Sequence, residues 1–230
     1  MEVLKVLSAG AAETLLRTLV PQFETANACH IESEFGNAGV IAGKLRAQQA
    51  ADLVILPEKQ IGDFGRSAIV LADTIAALGK VGTALAVPRG QPVPSLHGVN
   101  GLRRALLNAA HLYAPEWRNA TAGIHFKAVL ERLGIWEEIE PRLKTFPNGA
   151  ASMKALACAS GSCIGCTQAT EIFGERGVTF AGYLPDEFKL ETVYSAGVCG
   201  SAADETLARK FVWFITGEAL RSSRAAAGFL

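Results

Sequence analysis

What this 230-residue chain lacks narrows its possibilities first. Its 22 basic residues balance 22 acidic ones, so no net field draws nucleic acid or an anionic membrane surface, and neither partner is expected. Gly, Lys or Asp breaks every apolar run within about ten positions, short of the roughly 20 residues a membrane span needs, which excludes membrane insertion. The four histidines, at 30, 97, 111 and 125, form no HExxH pair, which leaves metal-dependent catalysis unsupported. GxSxG and SxxK are missing, and with them a serine nucleophile. No GxGxxG or Walker lysine specifies a nucleotide, and no cofactor is expected. There is no internal repeat and no low-complexity stretch. The chain opens on a strand without a signal-peptide pattern, so the expected compartment is periplasmic if a signal was removed and cytoplasmic otherwise.

Five cysteines are an odd number for a secreted chain and leave at least one thiol unpaired. Cys163-Ile164-Gly165-Cys166 has the spacing of a redox or zinc motif. In a redox pair the second cysteine lies in a helix, whereas this pair reads as strand, where residues three apart face opposite ways. A structural zinc would need a second pair at chelating distance, and neither Cys158 nor Cys199 has a companion. The expectation is buried cysteines, one of them lining a pocket.

What is present is an alternation of apolar strands and helix-period segments. Val3 to Leu7, His30 to Phe35 and Asp52 to Leu56 read as strands, separated by helices near Ala12 to Glu24 and Val40 to Gln49. Strands that are apolar throughout, with no in-out pattern, point to parallel sheets covered on both faces, and the fold class is α/β. Pro21 is expected to kink or shorten the first helix. After a strand at Thr83 to Val87, the breaker-rich Pro88 to Pro94 suggests a boundary. Helices are then expected near Gly98 to Ala110, Ala122 to Leu133 and Ala150 to Ala159. Strands follow at Ser162 to Thr167, Val178 to Tyr183 and Thr192 to Val198, and helices at Ala203 to Ile215 and Glu218 to Ala227 close the chain.

One local pattern recurs. Ser8-Ala9-Gly10-Ala11 ends a strand and opens a helix, leaving the first helical N–H groups free beside small side chains, a setting suited to a small anion. Asn37-Ala38-Gly39, Thr121-Ala122-Gly123, Asn148-Gly149-Ala150 and Thr167-Gln168-Ala169 repeat it. Each alone reads as ordinary helix capping. Shared between two lobes, five such turns are what an anion cleft requires.

In order along nearly the whole chain, Leu7-Ser8-Ala9-Gly10-Ala11, Ala51-Asp52-Leu53-Val54-Ile55-Leu56, Thr121-Ala122-Gly123-Ile124 with Leu133-Gly134-Ile135-Trp136, Ile164-Gly165-Cys166-Thr167-Gln168, Tyr194-Ser195-Ala196-Gly197-Val198 and Ala226-Ala227-Gly228-Phe229 resemble the molybdate-binding-like group of type 2 periplasmic solute-binding proteins. The resemblance implies two lobes, each a mostly parallel sheet flanked by helices, joined by hinge strands at Thr83 to Val87 and Thr192 to Val198. Residues 1–83 with 197–230 would form one lobe and 84–196 the other, with the ligand held in the cleft between them. It also implies an ABC permease as partner. Molybdate binders of the group use serine hydroxyls at the first two turns and often a tyrosine after the later strand. The corresponding places here are Ala11, Asn37 or Ala38, and Cys166, which turns the expectation from molybdate towards a bulkier di- or tricarboxylate.

Gly165-Cys166-Thr167-Gln168-Ala169-Thr170-Glu171-Ile172 is similar to a subgroup that includes aconitate isomerase. That alternative asks for one acid-base group, with His125, Glu171 or Cys166 available, and donors for carboxylates, with Arg118, Asn119, Thr121, Asn148, Thr167 and Gln168 available. The expected ligand contacts are therefore Ser8, Ala9, Gly10, Ala11, Asn37, Ala38, Arg118, Thr121, Ala122, Gly123, Asn148, Gly149, Cys166, Thr167 and Gln168. The leading expectation is a binding protein for a small anion, the second an isomerase, and the third a cytosolic anion sensor.

Overall fold

The computed structural model describes residues 2–230, which form two compact units, residues 2–81 with 192–230 and residues 82–191. The first begins with β1 (Glu2–Ala9), a 3-10 turn at Gly10–Ala12, α1 (Glu13–Asn27), β2 (Cys29–Gly36), α2 (Ala38–Arg46), β3 (Leu53–Pro57) and α3 (Glu58–Arg66). β4 (Ala76–Pro88) then carries the chain into the second unit. There follow α4 (Gly98–Asn108), β5 (His111–Pro115), α5 (Thr121–Arg132), α6 (Trp136–Ile139), β6 (Leu143–Phe146), α7 (Gly149–Ala157), β7 (Cys163–Gln168), α8 (Ala169–Phe173) and β8 (Val178–Tyr183). β9 (Glu191–Val198) brings the chain back to the first unit, which α9 (Glu205–Thr216) and α10 (Arg221–Ala226) complete.

In the first unit β1 lies between β2 and β3, parallel to both, and β9 adds antiparallel to β3. The all-apolar β3 is fully covered from Leu53 to Leu56, as a central strand packed by helices on both faces must be. α1 turns Leu15, Leu16, Leu19 and Phe23 inward. Phe23 meets Phe211 and Phe214 of α9 at ring-centroid distances of 4.8 and 5.4 Å. Pro21 does not shorten α1, which runs six residues past it to Asn27. The ring sits on the exposed face, and the buried stripe that anchors the helix continues through Phe23, so the lost hydrogen bond is tolerated.

In the second unit β7, β5 and β6 run parallel, and β4 pairs antiparallel with both β7 and β8. Its core is mostly aliphatic, with two rings, Phe126 and Phe188, among Leu85, Leu102, Leu106, Leu112, Val129, Leu130, Ile139 and Ile164. The breaker-rich stretch from Pro88 to Pro94 lies inside this unit. The passage between units is instead made within β4, because a 13-residue strand is long enough to serve both.

Candidate functional site

The structure brings the first two small-residue turns together. β1 and β2 are parallel and in register to their ends, with Ala9 opposite Gly36. Adjacent parallel strands lie about 4.8 Å apart, and each stops here and gives way at once to a helical turn. Neither start has a side-chain cap: Ala9 offers no hydroxyl, and Asn37 makes no capping bond. Helix geometry leaves the leading N–H groups without intrahelical acceptors and concentrates partial positive charge there. Gly10, Ala11 and Ala38 thus form a backbone-donor wall. Ser8 adds no hydroxyl to it, being fully buried with its Oγ donating to the Ala9 carbonyl at 2.9 Å. Ala9 and Ala11 are buried as well.

The other three turns belong to the second unit. Pro115 lies opposite Phe146 and Tyr113 opposite Gly165, so the carboxyl ends of β5, β6 and β7 share one edge. Thr121 and Asn148 follow two of those ends, and Gln168 is the last residue of the third strand. In open α/β sheets this is the edge at which ligands bind.

These three turns differ in what they have left to offer. α5 starts at Thr121 without a side-chain cap. A Cβ at Gly123 would lie 2.4 Å from the Pro115 carbonyl oxygen and 2.6 Å from that of Glu116, so glycine is what lets the helix start against the strand end. Ala122 beside it is buried. Arg118, on the loop entering α5, is exposed, with its guanidinium carbon 4.2 Å from the Trp117 ring centroid. Lys127 Nζ is also 4.2 Å from that ring, which ties the loop to α5.

The turn at Asn148 is occupied by the protein itself. The Asn148 side chain accepts from the Ala151 N–H at 2.8 Å, an ordinary N-cap. A Cβ at Gly149 would lie 1.8 Å from Glu171 Oε2 and 2.1 Å from Thr167 Oγ1. The Glu171 carboxylate therefore rests against the first turn of α7, where the helix end favours negative charge, and Thr167 donates to it at 2.5 Å. Thr167 is fully buried.

Cys166 is fully buried in the aliphatic core, and burial alone pushes its thiol far above the ordinary range. Cys163 and Cys166 are both strand residues with free, buried thiols. Among the described residues no group of three or more His, Cys, Asp or Glu is placed to hold a metal. Gln168, 4 % exposed, has a carboxamide oxygen without a hydrogen-bond partner. Directly opposite it on β4 stands Thr83, 3 % exposed, with its hydroxyl also unpartnered. Thr83 escapes the sequence reading; the only signal it leaves is one hydroxyl in the otherwise apolar strand Val81 to Val87.

The three conceivable proton carriers are all engaged or enclosed. His125 Nε2 lies 2.7 Å from the Phe188 carbonyl; a carbonyl only accepts, so Nε2 carries the proton. Glu171 holds the Thr167 hydroxyl, and Cys166 is sealed in the core.

A family model for bacterial extracellular solute-binding proteins matches residues 4–230. Aconitate isomerase of a Pseudomonas species is 21% identical to this chain over 221 residues, 94% of this chain and 82% of that protein. Molybdate-binding protein ModA of Escherichia coli strain K12 is 22% identical over 199 residues, 84% of this chain and 76% of that one. Among solved structures the periplasmic molybdate-binding protein of Azotobacter vinelandii superposes with a TM-score of 0.82 at 18% identity, covering 99% of this chain and 98% of the other.

Proposed function

The chain belongs to the bacterial extracellular solute-binding protein family, as a type 2 protein of the molybdate-binding-like group, and from that premise we propose that it binds a small di- or tricarboxylate for an ABC permease. The observation that carries this reading is the pair of uncapped helix starts side by side after Ala9 and Gly36. They supply backbone donors and partial positive charge without a hydroxyl, since Ser8 is engaged and Ala9 and Ala11 have none. Within the second unit, the exposed Arg118 ahead of the uncapped start of α5 offers a full positive charge, and its planar fork suits a carboxylate better than a compact tetrahedral oxyanion. Similarity to a molybdate-binding protein supports an anion site, and similarity to aconitate isomerase supports carboxylate chemistry.

Thermal shift with molybdate, tungstate, sulfate and a series of di- and tricarboxylates tests the reading. A ligand at 100 times its Kd adds about 2.7 kcal/mol, which for a chain of this size raises Tm by roughly 5–10 °C. The expected result is a shift with carboxylates and none with molybdate. A shift confined to molybdate or tungstate sinks the carboxylate assignment, and no shift with any anion sinks the site. Incubated with cis-aconitate at high concentration, the protein is expected to form no trans isomer, because His125, Glu171 and Cys166 are held or buried. Appearance of the trans isomer would make the chain an isomerase.

A further inference from the structure

Two polar side chains in the second unit are buried without the partners that burial ordinarily requires. Thr83 on β4 and Gln168 on β7 are directly opposed in the antiparallel pair, so their side chains project to the same face with Cβ atoms about 5 Å apart. Their backbones are accounted for: the Thr83 N–H donates to the Leu190 carbonyl at 3.0 Å, and the Thr83 carbonyl accepts from Leu184 at 3.2 Å. The side chains are not: Gln168 Oε1 and Thr83 Oγ1 both lack a partner, and they do not bond each other. Buried polar groups are nearly always paired, and an unpaired one in a native fold marks a place where something else supplies the bond. Gln168 ends β7 on the edge that also carries the α5 start and Arg118.

We propose that Thr83 and Gln168 together read a hydroxyl group on the bound acid, so that the ligand is a hydroxycarboxylate. This rests on the carboxylate-binding reading above. A carboxamide oxygen can only accept, and a threonine hydroxyl can donate. One ligand O–H completes both: it donates to Gln168 Oε1 and accepts from Thr83 Oγ1. A bare oxyanion such as molybdate or sulfate carries acceptors only and sets oxygen against oxygen at Gln168. An unsubstituted dicarboxylate leaves both groups unpaired, and a site built around a ligand hydroxyl discriminates strongly against analogues that lack one.

The test is calorimetric titration of the full chain with matched pairs, L-malate against succinate and citrate against tricarballylate. The hydroxy acid of at least one pair is expected to bind about tenfold tighter or more. Thr83→Val and Gln168→Leu are expected to erase that preference, bringing the affinity for the hydroxy acid down to that for its unsubstituted partner. Both variants should melt no lower than the parent, because replacing an orphaned polar group with an apolar one of similar shape is neutral or stabilising. Equal binding of hydroxy and unsubstituted acids overturns the inference while the carboxylate site stands. So does a preference that survives both substitutions, or variants that lose stability with the preference intact, which would assign the pair to internal structure. If no acid binds, the carboxylate site falls and this inference with it.

Discussion

Replacing Asp52 by alanine removes a carboxylate that joins three distant stretches of the first unit. Asp52 is 4 % exposed and immediately precedes β3. Its Oδ2 accepts from the Lys5 N–H of β1 at 2.7 Å, and its Oδ1 from the Ala203 N–H ahead of α9 at 2.6 Å. Its own backbone donates to the Lys5 carbonyl at 2.8 Å and accepts from the Cys199 N–H at 2.9 Å, so alanine would keep those two bonds. The loss is therefore two charge-assisted hydrogen bonds, each about 1.5–3 kcal/mol. Both are partly buried, which places them towards the low end, and Asp52→Ala is expected to cost about 3–4 kcal/mol. For a chain of this size that lowers Tm by roughly 6–15 °C. Asp52→Asn keeps one neutral acceptor but turns an amide N–H₂ towards an N–H donor, and is expected to lose at least half as much. Urea melts followed by circular dichroism, with the slope m unchanged, are the assay. A loss below 1 kcal/mol for Asp52→Ala would refute the assignment of this carboxylate as the clasp of the first unit.

Gly123→Ala places a methyl 2.4 and 2.6 Å from two carbonyl oxygens of the main chain, which cannot rotate away as a side chain can. It is expected to cost about 2 kcal/mol and, by displacing the first turn of α5, to weaken carboxylate binding. Calorimetry and melts that match the parent would refute this. Of the five thiols only Cys158 is exposed, so a thiol-specific chromophore at pH 8 is expected to label one site per folded chain and the other four only after denaturation. More than one fast site would contradict the burial. Burial first, and the Asp52 charge second, push the Cys199 thiol up to about 12, and burial pushes Cys166 up as well. Above the ordinary thiol pKa near 9 the unfolded chain releases protons that the folded chain retains, so stability is expected to fall as pH rises from 9 towards 12. A Cys166→Ala/Cys199→Ala pair should flatten that fall in melts taken across the window, and an unchanged slope would refute the link.

The parts of the fold that were legible in the sequence are those where one stretch carries its own signal. Continuous apolar runs such as Leu53 to Leu56 announce covered parallel strands, and the Leu15, Leu16, Leu19, Phe23 stripe outweighs the local effect of Pro21. β6, on the edge of its sheet and without a buried residue, carries no such signal, and β5, begun by an exposed His111 and ended by Pro115, offers only Leu112-Tyr113-Ala114 as an apolar run; both were invisible. α3 was missed because two glycines and a polar composition hide a face that buries Ile61 and Phe64. The site is less legible still, because its meaning lies in register. Ser8-Ala9-Gly10-Ala11 and Asn37-Ala38 each look like unremarkable caps, and only the pairing of Ala9 with Gly36 sets them side by side. The same logic separates the second unit's turns. Asn148 reads identically to the others in sequence, yet its cap bond and the Glu171 carboxylate against Gly149 occupy that helix start from within, whereas the α5 start beside Arg118 has no side-chain cap. Thr83 carries no motif at all. Its significance comes from standing across from Gln168, 85 positions away in the chain, with neither side chain satisfied. A turn motif therefore counts towards a binding site only after the protein's own caps and carboxylates have been subtracted from it. In the second unit, that subtraction leaves the α5 start, Arg118 and the Thr83–Gln168 pair.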